Sequence, residues 1–216
     1  DDINYMRIFF PFKYLLIMLL FSLSVVEVLA QNDNPAIATL LDVDGSVKVF
    51  NEKSPKGRHG NHGMLLFAGN KILTSANSKT TVEYRDGSRV RLFQNSTLVL
   101  NLSLEQSTIK RTFKFQLTLK SGSLRGRFVK GLQRTKIRTP TAVIGIKGTS
   151  LRISENNNKA TVSLTEGQLE VITISSKAIL NPGQWLTDFD PKTNLTQNVA
   201  QIPNLLSIKS AEYELD

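Results

Sequence analysis

Apolar and polar residues alternate along most of the chain with a period of two. Between residues 98 and 105 every even position is leucine, and residues 101, 103 and 105 are polar. Between residues 113 and 120 the odd positions are Phe or Leu and the even positions are polar. This period is typical of strands with one buried face, and no window of helical length shows an apolar stripe at a period of 3.6. The chain is therefore predicted to be all-β.

Short turns that contain glycine separate the predicted strands. Asp44-Gly45 and Asp86-Gly87 lie between alternating apolar residues, which is the strongest short-range signal of a β-hairpin. Glu166-Gly167 follows the same pattern, and Pro182-Gly183 closes the series. The recurrence of a glycine turn and an apolar strand predicts a single domain of stacked hairpins or a meander, either sandwich-like or β-helix-like. Because the spacing between turns varies, we do not expect a strict repeat.

Residues 139–149, TPTAVIGIKGT, are the least polar part of the chain after its N-terminal segment. Pro140 cannot donate to a sheet ladder, so it is predicted at an edge or as the first residue of a strand. Gly145 predicts a β-bulge or a close backbone approach, and Lys147-Gly148 predicts a turn. These residue types suit backbone geometry better than chemistry, so we expect this stretch to be the structural centre of the domain.

Residues 1–30 have the three-part pattern of a secretory signal peptide, with Met6 as the expected start and residues 1–5 upstream of it. Arg7 and Lys13 precede an apolar run over residues 14–26, and residues 28–30 fit a signal-peptidase site, which predicts cleavage before Gln31. The apolar run is shorter than the roughly 20 residues of a spanning helix, and an uncleaved anchor is the alternative. We expect a periplasmic or secreted protein without a membrane span after cleavage.

The predicted organisation after the signal peptide has three parts. A short linker covers residues 31–36, the β domain covers residues 37–186, and a C-terminal tail covers residues 187–216. The tail is rich in Asn, Gln and Thr after Asp190-Pro191, a composition that predicts a peripheral or partly disordered segment.

The body of the protein is basic. The chain has 27 Lys and Arg against 18 Asp and Glu, a net charge of +9, and the N-terminal 30 residues contribute none of that surplus. Such a charge favours polyanionic partners, although a solvated surface is the alternative, and nucleic acid is not expected for an exported protein. The possible polyanion-binding residues in the densest basic region are Lys110, Arg111, Lys114, Lys120, Arg125, Arg127 and Lys130.

The sequence offers little for catalysis. It has no cysteine, which excludes a disulfide framework, a thiolate metal site and a cysteine nucleophile. The two histidines, His59 and His62, lie in a Gly-rich loop beside Lys56 and Arg58, which would repel a cation. There is no nucleophile–base pair and no phosphate-binding glycine motif. We therefore expect a non-enzymatic protein without a metal or a cofactor.

Eight short landmarks, in order between Ile37 and Trp185, resemble the FecR domain family. They are Gly45-Ser46-Val47, GNKILT at 69–74, Asp86-Gly87-Ser88, Ser96-Thr97-Leu98, Ser121-Gly122-Ser123-Leu124, TPTAVIGIKGT at 139–149, EGQLEV at 166–171, and Asn181-Pro182-Gly183-Gln184. The residues of this signature, for which we expect structural roles, are Thr139, Pro140, Gly145, Gly148, Thr149, Gly167 and Gly183. The resemblance implies an extracytoplasmic, all-β, non-catalytic module. In regulatory members of the family, this module lies in the periplasm and relays the state of a TonB-dependent outer-membrane receptor to a sigma factor.

Three functional hypotheses follow, in order of preference. The first is an envelope sensing or protein-interaction module whose sheet edges or loops dock a partner chain. The second is a structural or polyanion-binding envelope protein that uses its basic face. The third is a regulator of sigma-factor signalling linked to TonB-dependent iron uptake. The expected partner is an envelope protein or an anionic envelope polymer.

Overall fold

The computed structural model describes residues 35–106, 111–130 and 135–203. Within these ranges the chain is almost entirely β, so the predicted fold class is confirmed. The strands are β1 (Ala38–Asp44), β2 (Val47–Asn51), β3 (Ser54–His59), β4 (Leu65–Leu66), β5 (Lys71–Thr74), β6 (Lys79–Tyr84), β7 (Arg89–Leu92), β8 (Thr97–Gln106), β9 (Arg111–Arg127), β10 (Thr135–Arg138), β11 (Val143–Asn156), β12 (Lys159–Ile172), β13 (Lys177–Leu180), β14 (Gln184–Phe189) and β15 (Ala200–Gln201). A short helix, α1 (Leu195–Asn198), precedes β15.

The predicted signal peptide, its cleavage site before Gln31 and Met6 lie outside the described residues. Among the residues that are described, no helix has the length and apolar character needed to cross a membrane.

The strands form one continuous sheet that folds into two layers. The first layer has the order β3, β2, β5, β8, β9, β10, β11, β12, β13. The second has the order β4, β1, β6, β7, β9, β11, β12, β14, β15. The three long strands β9, β11 and β12 belong to both, because each passes from one layer to the other part-way along its length. We call them the crossing strands.

The two Asp-Gly sequences have different roles. Asp86-Gly87 joins the paired strands β6 and β7, and Ser88 N donates to Asp86 Oδ1 over 2.9 Å, as expected of a hairpin turn. The hairpin prediction at Asp44-Gly45 is wrong, because β1 pairs with β4 and β6, whereas β2 pairs with β3 and β5. Gly45, at φ 74°, instead turns the chain from the second layer into the first.

Alternate side chains of both layers form one hydrophobic core, as the period of two predicts. In the first layer the core residues include Leu98, Leu100, Leu117 and Leu119, and in the second they include Val90, Leu92, Leu124, Leu151 and Ile153. The sheet also extends beyond residue 186, the predicted end of the domain. Phe189 at the end of β14 is buried, and Leu195 of α1 is fully buried, so this part of the chain packs on the core.

The phenol of Tyr84 makes stability depend on pH. Burial, and secondarily the nearby Asp86 carboxylate, raise the pKa of Tyr84 well above its ordinary value of 10.0. The unfolded chain therefore loses this proton near pH 10 while the folded chain keeps it. The stability that the protonated Tyr84 contributes should therefore be fully present below pH 10. Above pH 10 we expect the free energy of unfolding to fall by up to about 1.4 kcal/mol per pH unit.

This dependence can be measured by urea unfolding between pH 8 and pH 11. Tyr84→Phe keeps the ring and removes the ionisable group, so its stability is expected to fall less steeply above pH 10. An identical slope for both proteins would contradict the assignment to Tyr84.

Candidate functional site

The first half of the signature stretch forms a tight turn between β10 and β11. Thr139 Oγ1 accepts hydrogen bonds from Thr141 N at 3.1 Å and from Ala142 N at 3.0 Å. Thr139 N donates to Ala142 O at 2.8 Å. Pro140 lies within this turn and not on a strand, as its fixed φ suits the second position of a four-residue turn. The sequence prediction for Pro140 is therefore corrected from a strand position to a turn position.

The Thr139 hydroxyl is expected to stabilise this turn by about 1–2 kcal/mol, because it accepts from two backbone donors. Thr139→Val keeps the shape of the side chain but leaves both donors without this acceptor. Urea unfolding should show the loss in Thr139→Val, whereas Thr139→Ser, which keeps the hydroxyl, should stay within about 0.5 kcal/mol of the wild type. Equal losses in both variants would contradict this role.

The second half of the stretch contains a β-bulge. Gly145 pairs in register with Lys136 and Glu170, and the atom nearest to a Cβ at this position would be 3.7 Å away, so neither the bulge nor the close backbone approach predicted for Gly145 is found there. The register of β11 against β12 shifts instead between Lys147 and Ser150. The turns predicted at Lys147-Gly148 and at Glu166-Gly167 are also wrong, because both strands continue through these positions.

Gly148 and Gly167 face each other across this bulge. Gly167 has φ 85°, and a Cβ there would collide with the carbonyl oxygen of Gly148 and lie 2.8 Å from Thr149 Cγ2. A Cβ at Gly148 would collide with the Lys130 side chain. The signature glycines at 148 and 167 are therefore needed for close backbone approach at the point where β11 and β12 cross between layers.

A buried polar contact joins the signature turn to the far end of β11. Thr141 Oγ1 donates to Glu155 Oε1 over 3.0 Å, and both residues are almost completely buried. Thr141 precedes the first-layer part of β11, and Glu155 lies in its second-layer part. The hydrogen bond thus helps to hold the two layers together.

A cleft of about 540 Å³ opens beside the bulge, and it is lined by Gly87, Arg89, Arg127, Phe128, Val129, Lys130, Gly148, Thr149, Ser150 and Glu166. Its charged lining has three cationic side chains and a single carboxylate, that of Glu166. The buried Thr149 hydroxyl has no hydrogen-bond partner within the ranges that the structure describes. The charge of the lining favours an anionic group over a cation.

Five arginines share the outer side of the second layer, and we call Arg89, Arg91, Arg125, Arg127 and Arg152 the arginine face. The register places Arg89 opposite Arg127 and Arg91 opposite Arg125, on β7 and β9. Arg125 in turn lies opposite Arg152 on β11. Residues directly opposite each other project to the same side of a sheet, so two rows of guanidinium groups cross adjacent strands.

Acidic and aromatic side chains fix part of the arginine face. Arg89 forms an ion pair with Glu83 at 3.4 Å, and Arg91 forms one with Asp42 at 3.7 Å. The guanidinium carbons of Arg125 and Arg152 lie 5.9 and 5.3 Å from the ring centroid of Phe93, within cation–π range. Arg125 is 6% exposed, whereas Arg127 and Arg152 are exposed. The face therefore combines an ordered centre with accessible charges beside it.

The structure divides the basic residues that the sequence grouped together. Arg125 and Arg127 lie on the arginine face and Lys130 lines the cleft, whereas Lys120 is an exposed residue of the first layer. Arg111 and Lys114 lie on the first-layer part of β9, and their side chains are outside the described set. Lys110 lies outside the described residues. Among the predicted basic residues whose side chains are described, Arg125, Arg127 and Lys130 thus lie beside the arginine face and the cleft, and Lys120 lies on the other layer.

Sequence reasoning missed Arg89, Arg91 and Arg152, because it searched for a local concentration of charge. A signal was present in the alternation Arg89-Val90-Arg91-Leu92 and in Leu151-Arg152-Ile153. Arg91 and Arg152 stand between core residues, and Arg89 precedes one, so alternation places all three on the outer side. Only the strand register shows that these separate segments lie next to each other.

The two histidines do not form a metal site with other ligands. His59 ends β3, which occupies part of the predicted loop, and both histidines are exposed. His62 Nδ1 is hydrogen-bonded to Leu41 O. No group of three or more His, Cys, Asp or Glu residues suited to a metal occurs in the described part of the chain.

The structure is a two-layer β domain joined by the crossing strands, with a basic outer face and an adjoining cleft. Such an arrangement is suited to binding. Residues 70–170 match the family model described as FecR protein. The predicted resemblance is thus confirmed for this part of the chain, which includes β9, β11 and nearly all of β12. No curated protein matches the sequence.

Two solved structures are similar to the chain. Both are crystal structures, at 1.65 and 2.50 Å resolution, of a protein from Parabacteroides distasonis ATCC 8503 that is proposed to be an anti-sigma factor. The sequence identities are 16% and 15%, and each TM-score is 0.45. The matches cover 62% of this chain but only 56% and 55% of those proteins.

Proposed function

We propose that this protein is a non-catalytic, extracytoplasmic signalling domain that binds a protein partner and thereby regulates a sigma factor. The observation that carries the proposal is the FecR match over residues 70–170. In regulatory members of that family, the domain passes the state of an outer-membrane receptor to a sigma factor. From the sequence alone, regulation of a sigma factor was the least preferred of the three hypotheses, and this proposal now places it first. The hypothesis of a protein-interaction module is kept, because such signalling acts through protein binding.

Binding, and not catalysis, is the activity that the cleft suits best. Its lining brings one carboxylate together with three cationic side chains and contains no histidine. General acid–base chemistry needs titratable groups tuned near the working pH, whereas a cationic lining serves an anionic side chain or terminus of a partner. The export predicted from residues 1–30 agrees with a partner in the envelope.

The test is a deletion of the gene in the source organism, with sigma-factor-dependent transcripts measured by RNA sequencing. The deletion strain is complemented with the full chain or with one of two variants of β11. Ile144→Asp places a charge at a fully buried position and is expected to unfold the domain, whereas Lys147→Asp changes an exposed position of the same strand. Immunoblotting confirms that Lys147→Asp accumulates to the wild-type level.

We expect the deletion to change one sigma-factor regulon, and the wild type and Lys147→Asp to restore it. Ile144→Asp should fail to restore it. Affinity capture of the full chain from the envelope should then recover a sigma regulator or a TonB-dependent receptor. An unchanged transcriptome, together with capture of no such protein, would overturn the proposal.

A further inference from the structure

The outer side of the first layer carries exposed cations. Lys136 and Arg138 lie on β10, and Lys120 lies on the neighbouring strand β9. Each stands next to a buried residue of its strand, so alternation places it on the outer side, and all three are exposed. None of them forms an ion pair within the described part of the chain, and the guanidinium of Arg138 contacts the neutral amide of Gln116. This side of the sheet therefore has positive charge that no described side chain neutralises.

Exposed isoleucines lie on the same side, on the hairpin of β12 and β13. The register places Arg138 in one row with Ile172 of β12, and Lys136 in the next row with Ile179 of β13. Ile172 and Ile179 are 38% and 51% exposed, and Ile174, in the connection between the two strands, is 82% exposed. Adjacent strands are about 4.8 Å apart, so Ile172 and Ile179 lie about 10–15 Å from the cations of their rows. We call the following residues the lysine–isoleucine face: Lys120, Lys136, Arg138, Ile172, Ile174 and Ile179.

The composition of this face distinguishes between kinds of partner. Protein–protein interfaces are depleted in lysine and enriched in aromatic residues. The first-layer parts of β10 to β13 contain no aromatic residue, and their single carboxylate, that of Glu170, is already paired with Lys177. An anionic bilayer attracts clustered Lys and Arg through its headgroups, and its interfacial region accepts aliphatic side chains. The face is therefore better suited to a lipid surface than to an acidic protein.

We propose that the lysine–isoleucine face docks the domain on a membrane surface that contains anionic phospholipid. The three cations contact lipid phosphate groups, and the three isoleucines enter the interfacial region beside them. Because a few charges and aliphatic side chains give only reversible binding, docking requires the anionic lipid. The outer side of the second layer faces the opposite way and stays accessible to a protein partner. This inference does not depend on the proposed role in sigma-factor signalling.

The first experiment locates the contact on the full chain. The chain has no cysteine, so Ile174→Cys gives one site for an environment-sensitive fluorophore. Leu65→Cys, at a position that is 55% exposed on β4 of the second layer, gives the matched control site. The apolar run at residues 14–26 is common to both proteins, so the readout is the environment of one position and not total binding.

The labelled proteins are mixed with vesicles of phosphatidylcholine alone or of phosphatidylcholine with phosphatidylglycerol. We expect the emission of the label at position 174 to rise and shift to shorter wavelength only with phosphatidylglycerol, and to return towards its starting value as salt is added. The label at position 65 should not respond. An equal response at both positions, or none at position 174, would overturn the proposal.

The second experiment tests the cations by titrating proteins labelled at position 174 with the phosphatidylglycerol vesicles. The test variant combines Lys120→Gln with Lys136→Gln. The matched control combines Lys79→Gln with Arg85→Gln, which removes the same charge from exposed positions at the two ends of β6 in the second layer. Urea unfolding verifies the fold of each variant, and Lys136→Gln alone serves if the double test variant unfolds.

The test variant is expected to bind about thirtyfold more weakly, from the usual contribution of each cation near an anionic membrane surface. The control variant should stay within about twofold of the wild type, because charges far from the surface are screened. Equal losses in the two variants would show an effect of net charge alone and would overturn the proposal. If polyglutamate bound as tightly and depended equally on Lys120 and Lys136, the face would fit an acidic protein and the lipid assignment would be wrong.

Discussion

Gly167→Ala is expected to lower the free energy of unfolding by more than about 3 kcal/mol, an unusually large effect for the addition of one methyl group. The new Cβ would collide with the carbonyl oxygen of Gly148, which belongs to the backbone of a crossing strand and cannot rotate away. The φ of 85° adds strain of its own, because residues with a Cβ disfavour that region. Relief would require β11 and β12 to separate where they cross between the layers.

Gly69→Ala is the matched control for this prediction. Gly69 has nearly the same φ, 84°, but a Cβ there would have no atom within 4 Å. Its cost should therefore be the backbone strain alone, about 1–2 kcal/mol. Urea unfolding of the two variants separates strain from collision, and equal losses would show that the close approach between Gly167 and Gly148 has no energetic importance.

Leu124→Ala is expected to cost about 2–5 kcal/mol, the range found for large-to-small changes in well-packed cores. Leu124 is completely buried on β9, just after this strand enters the second layer, and it pairs with Leu92 and Ile153. These neighbours are held by their own strands, so the cavity cannot collapse fully. Urea unfolding should show a lower midpoint with little change in the denaturant dependence.

Ile174→Ala tests whether the loss in Leu124→Ala comes from burial. Ile174 is 82% exposed in the connection between β12 and β13, and its truncation should change stability by less than about 0.5 kcal/mol. If Ile174→Ala lowered the free energy of unfolding as much as Leu124→Ala, the loss in Leu124→Ala could not be attributed to the burial of its side chain.

The buried faces of the strands with alternating sequences could be predicted, but the layers, and the passage of β11 and β12 from one layer to the other, could not. The period of two is a local pattern that relates each residue to those two positions before and after it. It therefore marks Leu98 and Leu100 as core residues even when the strands that pair with theirs are not known. Asp44-Gly45 and Asp86-Gly87 have the same local signal, yet one joins two layers and the other closes a hairpin. The difference lies in which distant strands compete for pairing, and local sequence does not contain that information.

The candidate site was only partly predictable for the same reason. Charge density along the chain found Arg125 and Arg127, which lie two residues apart on one strand. Arg89, Arg91 and Arg152 come from other strands and join them only through register. The sequence predicted structural roles for the signature glycines, but it placed a bulge or a close backbone approach at Gly145, because the sequence does not reveal which glycine faces another backbone.

The crossing strands also determine how the molecule can open. β9, β11 and β12 each form backbone hydrogen bonds in both layers. One layer therefore cannot unfold while all the backbone hydrogen bonds of the other remain in place. Amide protons in the middle of either layer should therefore exchange with solvent only through an event that disrupts both layers. A binding event on the outer face of the second layer would accordingly slow exchange in the first layer as well.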